Sequence, residues 1–231
     1  MLVPVSEVVN RLAEVTKERP LNEGQSAAAV MILSSGDKVT LVQGVAGAGK
    51  STMINAVARV AESEGKEVLG LAFQNKMVSD LKGGAAAQLG VEGMKASGID
   101  AQTIASFVNA QHRNAMLGQG PRFDETKATL ENKILLVDES SMVSSKDMLK
   151  LIEITHALDL DGLHFIGDRQ QLSAIEQGKS FALAQTHGAQ IARMDKKMRK
   201  KGSPLLTAVA GLTNEGFASK AIELLNAHNP S

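Results

Sequence analysis

The feature that most constrains this chain is the eight-residue segment from Gly44 to Ser51, Gly-Val-Ala-Gly-Ala-Gly-Lys-Ser. Three of its residues are glycine, so the backbone can turn tightly there and adopt left-handed conformations. The β-rich segment 39–42 precedes it, and apolar residues at helical spacing follow it from Met53 to Ala61. We therefore predict a strand, a tight glycine loop and a helix in direct succession.

The segment matches the pattern G-x-x-x-x-G-K-S in the strand, loop and helix context that a phosphate-binding loop requires. In such a loop the backbone N–H groups turn inward around phosphate oxygens, and the helix N-terminus adds a positive dipole. We expect Lys50 to contact the β- and γ-phosphates and Ser51 to hold Mg²⁺, an ion that needs few protein oxygens. The predicted nucleotide contacts in this segment are Gly44, Val45, Ala46, Gly47, Ala48, Gly49, Lys50, Ser51 and Thr52.

A carboxylate pair, Asp138 and Glu139, is the second candidate for the same chemistry. It follows 134–137, an apolar run of strand length, and ligands of open α/β sheets bind beyond the carboxyl ends of the strands. Asp138 is therefore the predicted second contact to Mg²⁺. Glu139 can accept a proton from an attacking water, which predicts hydrolysis. The alternative is a solvated turn, which the complete glycine loop upstream disfavours.

The apolar segments along the chain predict an α/β fold. Strands are predicted at 39–42, 68–73, 134–137, 163–166 and 191–194, and helices at 5–15, 22–33, 53–61 and 76–89. Fully apolar strands separated by helices indicate a mostly parallel sheet with both faces covered by helices. A long polar loop is expected at 111–133. We divide the chain into a leading helix (1–20) and a lobe (21–231) that ends in two small helices (204–226).

Composition excludes several classes of site. The chain contains no cysteine, tyrosine or tryptophan, which rules out disulfides, thiolate metal sites and a tyrosine nucleophile within it. Its 25 basic residues equal its 25 acidic residues, so any contact with nucleic acid must come from a local patch. The apolar runs predict no membrane segment and no export signal. We expect a cytoplasmic protein.

Two further motifs indicate a family. The segment Asp138-Glu139-Ser140-Ser141-Met142, followed by Gly167-Asp168-Arg169-Gln170-Gln171-Leu172, resembles motifs II and III of RecD-like superfamily 1 helicases. Within that group the likeness is greatest to the TraI/TrwC conjugative relaxase-helicases, and it runs from Leu21 to Leu225 with the motifs in the family's order. The resemblance implies a RecA-like P-loop NTPase core that uses ATP and Mg²⁺ and binds single-stranded DNA.

The resemblance implies roles for further residues near the nucleotide. Gln25 resembles the glutamine of the family's Q motif, whose amide pairs with the adenine edge; the alternative is an N-capped helix with Gln25 exposed. Gln171 matches the motif III glutamine that reports the γ-phosphate state, and Asp168 helps to hold that turn. Arg199 aligns with the motif IV arginine that approaches the γ-phosphate. Its alternative is a solvated basic cluster, and Lys200 follows where the family often has glutamine.

Residues that resemble the family's DNA-binding motifs lie between Phe73 and Ser106. Thr103 and Ser106 match motif Ib, whose hydroxyls hold DNA phosphates; the alternative is the start of an amphipathic helix. Motif Ia departs from the family, because Phe73, Gln74 and Asn75 stand where the family commonly has Pro-Thr. These three residues are the candidate DNA contacts of that segment. Phe73 can offer a stacking face to a base; alternatively it belongs to the core.

The resemblance also implies partners beyond this sequence. A translocating helicase of this type needs a second RecA-like lobe, which supplies a further arginine to the nucleotide. A relaxase domain resembles a metal-histidine site with a tyrosine nucleophile. We expect this chain to be the first motor lobe of a larger helicase that contains such parts. Two other classes stay open: a single-stranded-DNA-binding module with a structural or regulatory nucleotide site, and a P-loop switch or kinase without DNA.

Overall fold

In the part of the chain that the structure describes, the fold is built on a six-stranded sheet in which every pairing is parallel. The computed structural model describes residues 2–74, 99–168 and 191–194. The order of the strands across the sheet is β3-β2-β4-β5-β1-β6. The strands are β1 (Val39–Gly44), β2 (Glu67–Ala72), β3 (Asp100–Thr103), β4 (Lys133–Val137), β5 (Leu163–Gly167) and β6 (Ile191–Met194). The predicted α/β fold with a parallel sheet is confirmed.

Helices cover both faces of this sheet. They are α1 (Val5–Val15), α2 (Glu23–Ser34), α3 (Lys50–Ser63), α4 (Ile104–Ala115), α5 (Pro121–Leu130) and α6 (Ser145–Ala157), with a 3₁₀ turn at Ser140–Met142. Because successive side chains of a strand point to opposite faces, β1 contributes Val42 to one apolar cluster and Leu41 to the other. The helices α1 to α3 complete the first cluster, and α4 to α6 complete the second.

The leading helix α1 packs on the same layer as α2 and α3. Val8 and Leu12 are buried in the cluster that those two helices share. The N–H groups of Leu2 and Val3 donate to Leu33 O at the end of α2 (3.1 and 2.9 Å). Burial of apolar surface and backbone hydrogen bonds therefore both fix this helix to the core.

The predicted helices have different outcomes. Those at 5–15 and 22–33 are confirmed as α1 and α2, and the one at 53–61 is confirmed within α3. Those at 76–89 and 204–226 lie outside the described residues. Among the helices of the described ranges, none combines the length and the apolar character needed to cross a membrane.

The predicted long loop at 111–133 is wrong. The helix α4 continues to Ala115, and α5 occupies Pro121–Leu130. Proline begins α5 directly after Gly120, whose φ of 97° favours glycine. Thr126 and Leu130 are the buried residues of α5, so its sequence carries almost no apolar periodicity that could reveal a helix.

The short strand β3 lies where the sequence predicts only the start of a helix. It has four residues, and in the described sheet it is an edge strand that pairs with β2. The helix α4 begins at Ile104, directly after Thr103. A strand this short, with polar residues at most of its positions, shows too little alternation for a sequence pattern to detect.

A buried histidine, His164, lies in the middle of the sheet on β5. It is 2% exposed, and its Nδ1 is 2.7 Å from Oγ1 of Thr40 on the neighbouring strand β1. Burial lowers the pKa of His164 to about 3, because a charged imidazolium would lose its hydration there. His164 is therefore neutral in the folded protein near neutral pH.

Acid should destabilise the fold through His164. The unfolded chain takes up a proton at a pKa near the ordinary histidine value of 6.5, whereas folded His164, with its pKa lowered to about 3, does not. The stability that this residue contributes is therefore complete above the unfolded pKa. It falls by about 1.4 kcal/mol for each pH unit below that value. Urea unfolding between about pH 7 and 5 measures the slope, which His164→Asn should flatten.

A matched control is His156→Asn, which changes an exposed histidine of α6. This variant should keep the pH slope of the wild type. If His164→Asn showed the same slope as the wild type, His164 would not be the source of the acid sensitivity.

Candidate functional site

Three parts of the candidate nucleotide site follow three neighbouring strands, β1, β5 and β4. The glycine loop follows β1, Asp168 follows β5, and Asp138 and Glu139 follow β4. Because β5 pairs in parallel with both β1 and β4, all three carboxyl ends lie on one edge of the sheet, where open α/β folds bind ligands. The edge therefore brings the glycine loop and the carboxylate pair together.

The glycine loop is shaped by left-handed backbone and by the start of α3. Gly47 and Gly49 have φ of 79° and 80°, a region that side chains disfavour. The first helical bond runs from Met53 N to Gly49 O (3.2 Å). The N–H groups of Lys50–Thr52 precede this bond and so have no acceptor within the helix. Together with the helix dipole, such N–H groups favour an anion.

Lys50 folds back over the loop toward the carboxylate pair. Its Nζ donates to Gly44 O (3.3 Å) and lies 3.5 Å from Glu139 Oε1. A Cβ on Gly44 would lie only 3.1 Å from Lys50 Cγ and Cδ, so glycine allows the lysine stem to pass closely. The side chains of Lys50 and Glu139 are 11% and 24% exposed, so solvent screens their attraction less than at the surface.

Asp138 carries a buried carboxylate whose charged form its surroundings disfavour. Its N–H donates to Leu71 O on β2 (2.9 Å), and its Oδ1 accepts from Glu139 N (2.9 Å). Burial raises the pKa of Asp138, and the charge of Glu139 raises it further, whereas the Glu139 N–H and Lys50 act in the opposite direction. A divalent cation would offset the burial of this charge. The environment of Asp138 therefore fits the predicted contact to Mg²⁺.

Glu139 is held in a conformation that is unusual for a residue with a side chain. Its φ is 47° and its ψ is 43°, a left-handed conformation that costs about 1–2 kcal/mol. Its Oε2 is buried and has no hydrogen-bond partner among the described residues. Strained backbone and an unsatisfied buried acceptor commonly mark a functional group. Both features fit a carboxylate that accepts a proton from water.

Asp168 contacts the glycine loop, a role that the sequence did not reveal. It is 1% exposed. Its Oδ2 accepts from Ala46 N (3.1 Å), and its Oδ1 accepts from Gln43 Nε2 (3.2 Å). The motif predicted only that Asp168 helps to hold its own turn. The missing information was the strand order, which puts β5 next to β1.

Gln25 contacts the second half of the same loop. It is 1% exposed and forms a capping box with Asn22 at the start of α2. Its Nε2 donates to Ala48 O (3.3 Å) and Gly49 O (3.1 Å). The capped helix is therefore confirmed, but the alternative in which Gln25 is exposed is wrong, because its amide bonds the carbonyl groups of the loop.

The predicted DNA contacts follow β2 and β3, on the same edge of the sheet. Ala72 pairs in register with Thr103, so the chain after β2 lies beside the start of α4. Phe73 is 38% exposed and Gln74 is exposed, which argues against a core role for Phe73. Thr103 Oγ1 accepts from Ser106 N (3.2 Å) and caps α4, so the alternative of a helix start is correct as a description of the backbone.

Three predicted site residues, Asn75, Gln171 and Arg199, lie outside the described residues. Their roles stay predictions. The site described here consists of the glycine loop, the carboxylate pair, and the side chains of Gln25 and Asp168 that contact the loop.

Known proteins similar to this chain point to one family. The sequence matches the AAA_30 family, described as an AAA domain, over residues 20–230. It is 34% identical over 217 residues to the multifunctional conjugation protein TraI of Escherichia coli (strain K12). The matched region covers 91% of this chain and 11% of TraI. It is also 28% identical over 210 residues to the conjugal transfer protein TraA of Agrobacterium fabrum. That matched region covers 90% of this chain and 16% of TraA.

The chain belongs to the AAA_30 family, a RecD-like group of helicase-type ATPase domains. The resemblance to RecD-like helicases, and to TraI among them, is therefore confirmed. The parallel sheet agrees with the RecA-like P-loop fold that this family implies. The chain spans only a small part of the length of the relatives it matches, 11% of TraI and 16% of TraA.

The turn that carries Glu139 should be sensitive to one methyl group at Gly167. A Cβ there would lie 2.5 Å from Ser140 Oγ and 3.0 Å from Ser141 N. Both residues are buried in the 3₁₀ turn that follows Glu139. Because the backbone of this turn would have to move, Gly167→Ala should lower the free energy of unfolding in urea by about 1–3 kcal/mol.

Gly36→Ala is the matched control, since a Cβ at Gly36 meets no atom of the described residues within 4 Å. Its free energy of unfolding should stay within about 1 kcal/mol of the wild-type value. Equal stability of the two variants would mean that the turn does not pack against β5 as described.

Proposed function

We propose that this chain is the ATP-binding and ATP-hydrolysing motor lobe of a DNA helicase in conjugative DNA transfer, and that single-stranded DNA binding is coupled to hydrolysis. The observation that carries the proposal is the 3.5 Å approach of Lys50 Nζ to Glu139 Oε1, because it joins a phosphate loop to a proton acceptor. The relatives TraI and TraA are named as a conjugation protein and a conjugal transfer protein, which supports a role for this chain in conjugation. The whole protein would add a second RecA-like lobe and a relaxase domain, and we expect it in the cytoplasm.

Nucleotide binding would exchange one set of partners for another at the loop. Lys50 contacts Gly44 O and Glu139, and a triphosphate offers it a stronger anionic partner. The N–H groups of Lys50–Thr52 precede the helical ladder and would donate to phosphate oxygens. Ser51, which is exposed, and Asp138 would hold Mg²⁺, which neutralises phosphate charge when bound.

Hydrolysis would use the carboxylate of Glu139. When Lys50 turns to the phosphates, the carboxylate of Glu139 would lose its 3.5 Å contact with Lys50 Nζ and would be available to a water. Its Oε2 is already buried and without a partner in the described part of the chain. The left-handed backbone at Glu139 would help to position this carboxylate. A positioned carboxylate of this kind accepts the proton of an attacking water.

DNA binding would use the hydroxyl of Thr103 in a way that leaves its helix cap intact. A threonine hydroxyl has one donor hydrogen and two acceptor lone pairs. The cap uses a lone pair, since Oγ1 accepts from Ser106 N. The donor hydrogen can therefore serve a DNA phosphate. Ser106 is exposed on the first turn of α4, where the helix dipole also favours a phosphate.

The contacts of the sheet offer a route that would couple DNA to the nucleotide. Thr103 pairs with Ala72 in register. The preceding residue, Leu71, accepts a backbone hydrogen bond from Asp138 N (2.9 Å). A shift of β2 caused by DNA at Phe73 or Thr103 would therefore act on the carboxylate that holds Mg²⁺. In the full protein, Gln171 and Arg199 would add contacts to the γ-phosphate.

Lys50→Ala should lose both ATP binding and ATP turnover, because the loop loses its positive side chain. Glu139→Gln should bind ATP at least as tightly as the wild type, since it removes an anion that competes for Lys50. Its turnover should fall about 10²-fold or more, because the proton acceptor is gone. Binding of a fluorescent ATP analogue and release of phosphate measure the two effects separately.

Lys17→Ala is the matched control, because Lys17 is an exposed lysine just beyond α1. It should leave binding and turnover at wild-type values. Tight ATP binding without turnover in the wild type would favour a structural or regulatory nucleotide site. Unchanged turnover in Glu139→Gln would remove Glu139 from its role.

A further inference from the structure

The hydroxyl group of Ser140 is buried at the carboxyl edge of the sheet. Ser140 begins the 3₁₀ turn directly after Glu139 and is 0% exposed. Its Oγ has no hydrogen-bond partner among the described residues, and neither has the buried Oε2 of Glu139. Buried polar groups of this kind are costly, and in native proteins they commonly bind ordered water. Two adjacent residues therefore offer polar atoms to a small polar ligand.

The space for this hydroxyl is provided by Gly167, the last residue of β5. A Cβ at Gly167 would lie 2.5 Å from Ser140 Oγ and 3.3 Å from Ser140 N. Glycine therefore leaves room that the hydroxyl occupies. In the sheet, β5 lies between β4, which ends just before the carboxylate pair, and β1, which leads into the glycine loop. Ser140 Oγ thus lies over the strand that separates the two halves of the site.

The contact between Glu139 and Lys50 spans the end of the same strand. β1 ends at Gly44, one residue beyond the partner of Gly167 in β5. Lys50 Nζ donates to Gly44 O (3.3 Å) and lies 3.5 Å from Glu139 Oε1. The side chain of Glu139, which follows β4, thus meets a lysine held beside β1. Ser140 Oγ and this carboxylate therefore share the end of β5.

We propose that Ser140 is a further catalytic residue, whose hydroxyl orients the attacking water together with Glu139. The inference rests on the proposed function, since it concerns hydrolysis at the same site. A water molecule has two hydrogens; one is donated to Glu139 Oε2 and the other to Ser140 Oγ, which leaves a lone pair to face the γ-phosphate. The serine accepts through a lone pair and keeps its own hydrogen.

The role of Ser140 in the reaction is to orient and not to transfer a proton. The water oxygen forms a bond to the γ-phosphorus, and the bond from that phosphorus to the bridging oxygen breaks. The electron pair of the broken bond leaves with the diphosphate, and the water proton passes to Glu139 Oε2. Because orientation of the water acts on the chemical step, loss of the hydroxyl should lower kcat and leave the affinity for ATP unchanged.

The test compares the wild type, Ser140→Ala, Glu139→Gln and the double variant in ATP turnover and in binding of a fluorescent ATP analogue. Ser140→Ala should lower turnover about three- to tenfold, the effect of one hydrogen bond, without changing the affinity. In the Glu139→Gln background the same change should have no further effect, because two groups that act on one water are not additive. An equal loss in both backgrounds would overturn the proposal.

Thr155→Val is the matched control for removal of a buried hydroxyl. Thr155 lies in the last turn of α6, and its Oγ1 donates to Leu151 O (2.8 Å). Its loss should lower the free energy of unfolding in urea and leave turnover unchanged. Ser140→Ala loses no hydrogen bond of the described residues, so its stability should equal or exceed that of the wild type. Equal losses of turnover in the two variants would refute a specific role for Ser140.

A crystal structure of the wild type with Mg²⁺ and a non-hydrolysable ATP analogue tests the same inference without a substitution. It should show one water within hydrogen-bonding distance of both Ser140 Oγ and Glu139 Oε2. A nucleotide in the loop with no such water would contradict the proposal. Turnover that falls in Glu139→Gln but not in Ser140→Ala would remove only the role of Ser140. A wild type that hydrolyses no ATP would overturn the proposed function as well.

Discussion

Parallel pairing of the strands is the constraint on which the rest of the structure depends. It puts the carboxyl ends of β1, β5 and β4 on one edge, so Lys50 and Glu139, which are distant in sequence, approach within 3.5 Å. The two apolar clusters maintain this order, because helices bury both faces of every central strand. The geometry of the edge thus depends on burial of apolar residues that never contact a ligand.

The glycine loop is held from both sides by buried polar groups. Asp168 bonds its first half and Gln25 its second half, and Met194 O of β6 accepts from Val45 N (3.4 Å). Removing these groups from water is costly, and their hydrogen bonds offset that cost only while the loop keeps its shape. The hydrogen bonds that reach the loop from both sides therefore stabilise the shape that it has in this structure.

Local features of this protein could be predicted from the sequence, whereas features set by strand order could not. The glycine loop and Asp138 were predictable because their signals lie within a few neighbouring residues. The contact of Asp168 with Ala46 was not, since it depends on β5 lying beside β1. The helix α5 and the strand β3 were missed for another reason. Both lie at the periphery and bury too few apolar residues to leave a periodic pattern.

The proposed coupling between DNA at β2 and β3 and the nucleotide at β1 and β4 is tested most directly by ATP turnover with and without single-stranded DNA. The proteins compared are the wild type, Thr103→Val and Ser144→Ala. Ser144 caps α6 as Thr103 caps α4, so both variants lose a cap but only one loses a proposed DNA contact. DNA should stimulate turnover of the wild type and of Ser144→Ala by the same ratio, and stimulate Thr103→Val much less. The same ratio in all three proteins, or no stimulation of the wild type, would contradict the coupling.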